Sequence, residues 1–246
     1  MEKRTGKIAL ISAVPFEGEF FIKRLDRTAK DTRDHPAFYA GKIQDHDIIY
    51  AVSGVGKTNA AHATTLLIHE YAPAMIINFG VGGAYPSAGL KAGDIAVASK
   101  EIYADEGVLL KDGFHTLETI GLHLLKTGRR KYFNEFPADR KLGKAALNSA
   151  TLITSSKSGI FATVSSCTGA REKAEELSLK YNAICENMEG AAVAHLCCSY
   201  GIPFVEIRGI SNIVEDRDTG RWDTKLASEN CQKALIEFLK TLNGPR

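Results

Sequence analysis

The chain has 246 residues, 44% of them hydrophobic and 24% charged, a composition that excludes a disordered or low-complexity protein. A formal net charge of only +2, with lysines and arginines dispersed along the chain, excludes the concentrated basic face of a nucleic-acid binder. The five cysteines (Cys167, Cys185, Cys197, Cys198 and Cys231) are odd in number and form no C-x-x-C pair, so they read as reduced thiols rather than a disulfide framework.

The leading MEKRTGK runs straight into a short apolar segment with no signal-peptide core, and no apolar run is long enough to span a bilayer. A cytoplasmic protein without a membrane partner is expected. Residues Lys7 to Ala13 (KIALISA) predict a first strand, Phe16 to Arg27 a helix and Asp47 to Val52 a second strand. From Lys57 to Tyr71 the positions Ala60, Ala61, Thr64, Leu67, Ile68 and Tyr71 share one helical stripe. Met75 to Phe79 and Asp94 to Ser99 read as buried strands bounded by glycines, and Arg171 to Tyr181 as a charged helix. Asn187 to Tyr200 is an alanine-rich helix closed by Gly201 and Pro203. Phe204 to Ile210 then predicts a buried strand, and Asp223 to Leu242 a final amphipathic helix.

No repeat and no Gly/Ser/Pro-rich linker divides the chain, so one domain over residues 1–246 is expected. Strands alternating with helices predict an α/β fold: a three-layer sandwich whose mixed, mostly parallel central sheet is flanked by helices. Ligands of such sheets sit at the carboxyl ends of strands, which directs attention to the segments after Ala13, Phe79, Val164 and Ile210.

Several motifs fall there. Gly54-Val55-Gly56-Lys57-Thr58 lacks the leading glycine of a P-loop, that place being Ala51, so nucleoside triphosphate binding is excluded and a tight strand-to-helix turn expected. Gly80-Val81-Gly82-Gly83 follows a strand directly; so many glycines suit close approach of a ligand, although a plain turn would use them too. Glu189 opens a helix of small residues, where a carboxylate serves either the helix dipole or a site in a crowded cleft. Glu17, by itself, reads as an ordinary first-turn helix acid. Arg208, in an otherwise apolar strand, needs a partner such as Glu206 or a distant acid, and Asn212 closes the strand as a turn residue could. The seven histidines show no metal-ligand spacing, His195 reads as packing, and Phe114, Phe161 and Trp222 read as core rather than base-stacking aromatics.

Taken in order, these segments resemble the superfamily of purine nucleoside phosphorylases and methylthioadenosine/adenosylhomocysteine nucleosidases. The resemblance rests on Glu17 after the first strand, Ser53-Gly54-Val55-Gly56-Lys57, Ile77-Asn78-Phe79-Gly80-Val81-Gly82-Gly83 with Ala92-Gly93-Asp94-Ile95, Asn187-Met188-Glu189-Gly190-Ala191-Ala192, and Arg208-Gly209-Ile210-Ser211-Asn212. Within the superfamily the chain looks most like its futalosine hydrolase subgroup, through Ala104-Asp105-Glu106-Gly107, Ser165-Ser166-Cys167-Thr168-Gly169 and the run from Ile207 to Trp222.

The resemblance implies N-ribosyl hydrolysis of a 6-oxopurine nucleoside, with futalosine cleaved to hypoxanthine in menaquinone biosynthesis. It also implies a purine nucleoside and water as partners, no cofactor, and a homo-oligomer, a dimer first. Glu17, Asn212 and Glu189 would be catalytic, and Met188, Val81, Gly82, Ser166, Cys167 and Arg208 would bind substrate. Asn78 stands where phosphorylases of the superfamily carry a phosphate-gripping arginine, which favours water as the nucleophile. Asn212 stands where adenine-cleaving members carry an aspartate; an amide can accept from N7–H and donate to a 6-oxo group. A methylthioadenosine/adenosylhomocysteine or aminofutalosine nucleosidase, and a phosphorylase, remain the alternatives.

Overall fold

A computed structural model describes residues 6–30 and 36–242; the leading charged segment read above lies, through residue 5, outside the described residues. Strand β1 (Ile8–Ser12) is buried along its whole length. Its side chains alternate between two cores, as the two-residue period of a strand covered on both faces requires. Ile8 and Leu10 face Leu235, Phe238 and Leu239, whereas Ala9 and Ile11 face Ala60, Leu67 and the small residues Ala191, Ala192, Val193 and Ala194.

The remaining strands are β2 (Asp26–Lys30), β3 (Ala37–Ile43), β4 (His46–Val52), β5 (Met75–Ala84), β6 (Ile95–Tyr103), β7 (Gly107–Leu110), β8 (Gly113–Thr116), β9 (Leu125–Thr127), β10 (Arg130–Tyr132), β11 (Glu135–Pro137), β12 (Ser156–Thr163), β13 (Ala183–Asn187) and β14 (Phe204–Ile213). The helices are α1 (Glu19–Ile22), α2 (Lys57–Tyr71), α3 (Arg140–Ala150), α4 (Arg171–Tyr181), α5 (Gly190–Tyr200) and α6 (Thr224–Thr241). The expected sandwich is present. Ten strands form one mixed sheet, with the parallel runs β4–β1–β5–β14 and β6–β12–β13 as its spine. Helices α2 and α5 pack on one face and α3 and α6 on the other. No helix among the described residues is long and apolar enough to cross a membrane.

The sheet closes on itself in one place. β14 lies between β5 and β6, β6 pairs β12, β12 pairs β13, and β13 returns to β5 through Cys185–Ala84 and Glu186–Gly83. This five-strand ring gathers the carboxyl ends of β5, β13 and β14, the places where a ligand is expected.

Five expected elements differ from those observed, two of them the strands expected over Asp94 to Ser99 and Phe204 to Ile210, which run on to Tyr103 and Ile213. The residue 16–27 helix is instead a single 3-10 turn (Pro15–Glu17), the short α1, and then β2. Glu17 turns back to accept from the Ala13 and Val14 amides, and Gln232 of α6 takes the Phe21 amide, so local and tertiary bonds replace the helical ladder. The strand expected to stop at Phe79 runs on to Ala84, because its glycines let neighbours close in: a Cβ on Gly82 or Gly83 would stand 2.7 Å from Cys185 Sγ or 2.6 Å from Val214 Cγ2. The alanine-rich helix starts at Gly190, since Asn187 ends β13 and its Oδ1 accepts from the Glu189 and Gly190 amides.

Helix α6 lies on β14 so closely that a Cβ on Gly209 would overlap the Ala227 carbonyl. Gly209→Ala is therefore expected to lower stability by about 1–3 kcal/mol or more, the range for overpacking a core. Urea unfolding followed by far-ultraviolet circular dichroism measures it, and a loss below a few tenths would show that the two backbones separate freely.

Candidate active site

Glu17 is held by three backbone N–H groups: Oε2 accepts from Ala13 (2.9 Å) and Val14 (3.1 Å), and Oε1 from Val81 (2.8 Å). It is buried, and burial raises its pKa above the usual carboxyl value, an effect that Arg208 and the Val81 amide only partly oppose. Gly80 makes this approach possible, since a Cβ there would overlap Glu17 Oε1.

Glu189 occupies the N-cap position of α5. Its Oε1 accepts from the Gly56 amide at 2.9 Å, and its Oε2 from Arg208 Nη2 at 3.3 Å. Gly56, at φ +94°, is the N-cap of α2, so the glycine loop that resembled a P-loop turns its amide and the positive end of its helix toward a carboxylate of the protein itself.

Arg208 joins these parts. It is 1% exposed, and each of its three nitrogens holds an oxygen: Nε on Glu206 Oε1 (2.8 Å), Nη1 on the Val81 carbonyl (3.1 Å) and Nη2 on Glu189 Oε2. Burial works against its charge, but Glu206, Glu189 and Glu17 outweigh that effect and keep the guanidinium firmly protonated. Both partners considered from sequence, Glu206 and a distant acid, are thus present.

A cavity of about 360 Å³ opens onto Glu17, Val81, Gly82, Cys167, Met188, Glu189, Arg208 and Asn212. The acids from residues 17 and 189 therefore share one chamber. Asn212 is half-buried and its amide orientation is set: Oδ1 accepts from Ser211 Oγ (2.7 Å), while Nδ2 donates to the Ile213 carbonyl (3.0 Å). One N–H and one oxygen lone pair remain for a ligand. Cys167 Sγ lies 3.2 Å from Met188 Sδ, placing both sulfurs on one wall. Ser166 lies apart from the cavity, on the wall of a neighbouring one of about 500 Å³ that also includes Cys167, Phe114 and Lys180.

Asn78 points away from any phosphate role, donating its Nδ2 to Glu206 Oε1 at 3.0 Å. Phe161 is core, as expected. Trp222 instead lines the cavity, half-exposed, with Arg217 stacked 4.7 Å from its ring centre. His195 packs on Phe136 at 4.3 Å, and burial lowers its pKa.

Sequence reasoning missed Glu186. This buried acid lines the cavity and fixes the loop at Thr168, accepting from the Thr168 amide (2.8 Å) and hydroxyl (2.6 Å) and from Tyr85 OH (2.9 Å). The available signal was its place at a strand end, three residues before Glu189.

The family model described as "Phosphorylase superfamily" matches residues 7–242. The chain belongs to the phosphorylase superfamily. This member is 33% identical to a futalosine hydrolase of Thermus thermophilus, over 85% of this chain and 89% of that protein. It is 31% identical to a 5′-methylthioadenosine/S-adenosylhomocysteine nucleosidase of Halalkalibacterium halodurans, over 94% and 95% of the two chains. Its fold matches that of a Neisseria meningitidis 5′-methylthioadenosine/S-adenosylhomocysteine nucleosidase, solved in complex with methylthio-immucillin-A. The TM-score is 0.84 at 24% identity, covering 97% of this chain and all (100%) of that one.

The pKa of Glu17 implies a pH effect on this superfamily member. A carboxyl whose pKa is raised by folding binds more protons folded than unfolded between its ordinary value near 4.5 and the raised one, so its contribution to stability falls as pH climbs through that window. The stability of Glu17→Gln relative to the parent should therefore improve as pH rises from about 4.5 and then level off. Denaturant titrations at a series of pH values test this; a flat difference, or one that favours the parent with rising pH, contradicts it.

Proposed function

We propose that the chain hydrolyses the N-ribosyl bond of a purine nucleoside, with water as nucleophile, and that its substrate is a 6-oxopurine nucleoside of the futalosine type. The observation that carries this reading is the placement of Glu17 and Glu189 in one cavity on either side of a single guanidinium.

Cleavage of an N-ribosyl bond develops positive charge on the sugar and negative charge on the departing base. A carboxylate offers about four lone-pair sites. Backbone amides occupy three of those on Glu17, leaving one on Oε1 to draw a proton from water, and its raised pKa suits a general base. Glu189 spends one site on Gly56 and one on Arg208, so two remain for the adjacent hydroxyls of a ribose. Its charge would then lie close to the cationic sugar.

The choice of water over phosphate follows from charge. Glu17, Glu186 and Glu189 line the cavity against Arg208 and Arg217; the nitrogens of Arg208 are committed to protein oxygens, and Arg217 is exposed on Trp222. An anionic nucleophile enters such a chamber less readily than a neutral one. The free N–H and lone pair of Asn212 match a 6-oxo group and a protonated N7. A 6-amino group would meet the N–H donor and leave polar groups unpaired, at about 1–3 kcal/mol.

Incubation with futalosine, inosine, methylthioadenosine and adenosylhomocysteine, followed by chromatography of the released base, is expected to yield hypoxanthine at a rate independent of phosphate. Adenine as the main product would select the nucleosidase reading that some relatives' names carry, and phosphate dependence would select a phosphorylase. Glu17→Gln should lower kcat by roughly 10²–10⁴-fold, the usual share of a general base; activity at the parental level removes Glu17 from the chemistry. Asn212→Asp should move the preference toward 6-aminopurines by about tenfold or more, the equivalent of 1–3 kcal/mol of repaired pairing. An unchanged ratio of kcat/KM values for inosine and adenosine would refute that role.

A further inference from the structure

Two further acids stand behind Arg208. Glu101 on β6 and Glu206 on β14 are fully buried. They converge at Gly190, where a Cβ would overlap Glu101 Oε1 and Glu206 Oε2 at once. Around them stand Thr163 Oγ1 (2.6 Å), whose single proton Asn187 Oδ1 (3.1 Å) can also take, and the donor Asn187 Nδ2 (2.7 Å) for Glu101, and the donors Arg208 Nε (2.8 Å) and Asn78 Nδ2 (3.0 Å) for Glu206 Oε1. Glu206 Oε2 has no hydrogen-bond partner among the described residues, and the oxygen it meets at Gly190 is Glu101 Oε1. Two ionised carboxylates both accept and neither donates, so a bond between them requires a proton on one. A guanidinium touches Glu206 and favours its charged form, whereas Glu101 has neutral donors only.

We propose that Glu101 is a positioning residue that acts as a neutral acid, donating its proton to Glu206 Oε2. Glu206 thereby stays the anion that fixes the Nε edge of Arg208, while the Nη2 edge fixes Glu189. With Glu101 neutral, three carboxylates (Glu17, Glu189, Glu206) already face one buried guanidinium; a fourth negative charge would deepen that excess. The titratable groups that face Glu101 are Glu206 and Arg208 on β14, Cys185 on β13, Tyr103 on β6 and Tyr85 after β5. Burial, then Glu206, raises the pKa of Glu101 well above the carboxyl range, in accord with this assignment.

The assignment rests on the nucleosidase reading for its functional consequence, but its spectroscopic test needs no substrate. Infrared difference spectra of unlabelled and 13C-glutamate protein at neutral pH should show a protonated-carboxyl C=O band that E101Q loses and E206Q keeps. A band unchanged in E101Q, or one that E206Q loses, overturns the proposal. Should E101Q not fold, the Glu17→Gln protein decides, since Glu17 cannot contribute there: the band must persist at neutral pH, and its absence overturns the proposal. In turnover of whichever nucleoside is cleaved fastest, E101Q keeps a neutral donor and is expected to lose about tenfold or less in kcat. E101L orphans the Glu206 oxygen and should lose about a hundredfold or more, with unchanged circular dichroism. Equal losses would reduce Glu101 to a packing residue. A chain that cleaves no nucleoside would sink the functional reading while leaving the spectroscopic result to stand or fall by itself.

Discussion

A single buried cation holds this site together. Arg208 is enclosed by protein, and its planar fork reaches Glu206, Glu189 and the Val81 carbonyl in three directions. Isolated charges are costly to bury, and they persist only where partners and hydrogen bonds replace the lost water. Here two of the partners also shape the cavity: Val81 offers its amide to Glu17, and Glu189 lines it. Lysine could not do this, because its point charge lacks the fixed angles between donors.

The cavity's character follows from the same arrangement. Three carboxylates on its wall and a committed guanidinium leave it suited to a developing cation and ill suited to an incoming anion. Much of its wall is apolar or small, with Val81, Gly82, Met188 and Cys167 among the lining residues. Low surrounding polarizability strengthens each remaining electrostatic interaction. The phosphorylase superfamily supplies the scaffold; the reading of this member as a hydrolase rests on these charges.

How much of this was legible in the sequence depended on the reach of each signal. Helices α2 and α4 were read at their observed bounds, because apolar stripes and end residues are local features. Glu206 was legible as a partner of Arg208, since residues two apart on a strand share a face. Glu17, Glu189 and Asn212 came from motif order, and Glu17 alone would have passed for a helix acid. Glu101 and Glu186 escaped, as did Trp222 as a cavity residue. An acid in an alternating strand looks solvent-facing until the closing ring removes the solvent, and that closure depends on strands far apart in the chain. The short strands β7 to β11 carry little periodic pattern because they are three or four residues long and, Phe136 apart, exposed or only half-buried.

The position of β14 has a consequence for how the molecule is assembled. It is the last strand in the order of the described residues, yet it slots between β5 and β6, more than a hundred residues earlier. Until it arrives the ring is open, and the acids at 17 and 189 lack the guanidinium that would let them be buried. The nascent chain therefore cannot dry this cavity, and a truncated product ending before residue 204 would have a wet, acid-lined cleft where the chamber should be. Such long-range closure is slow compared with local folding. The site is therefore acquired only once β14 is in place.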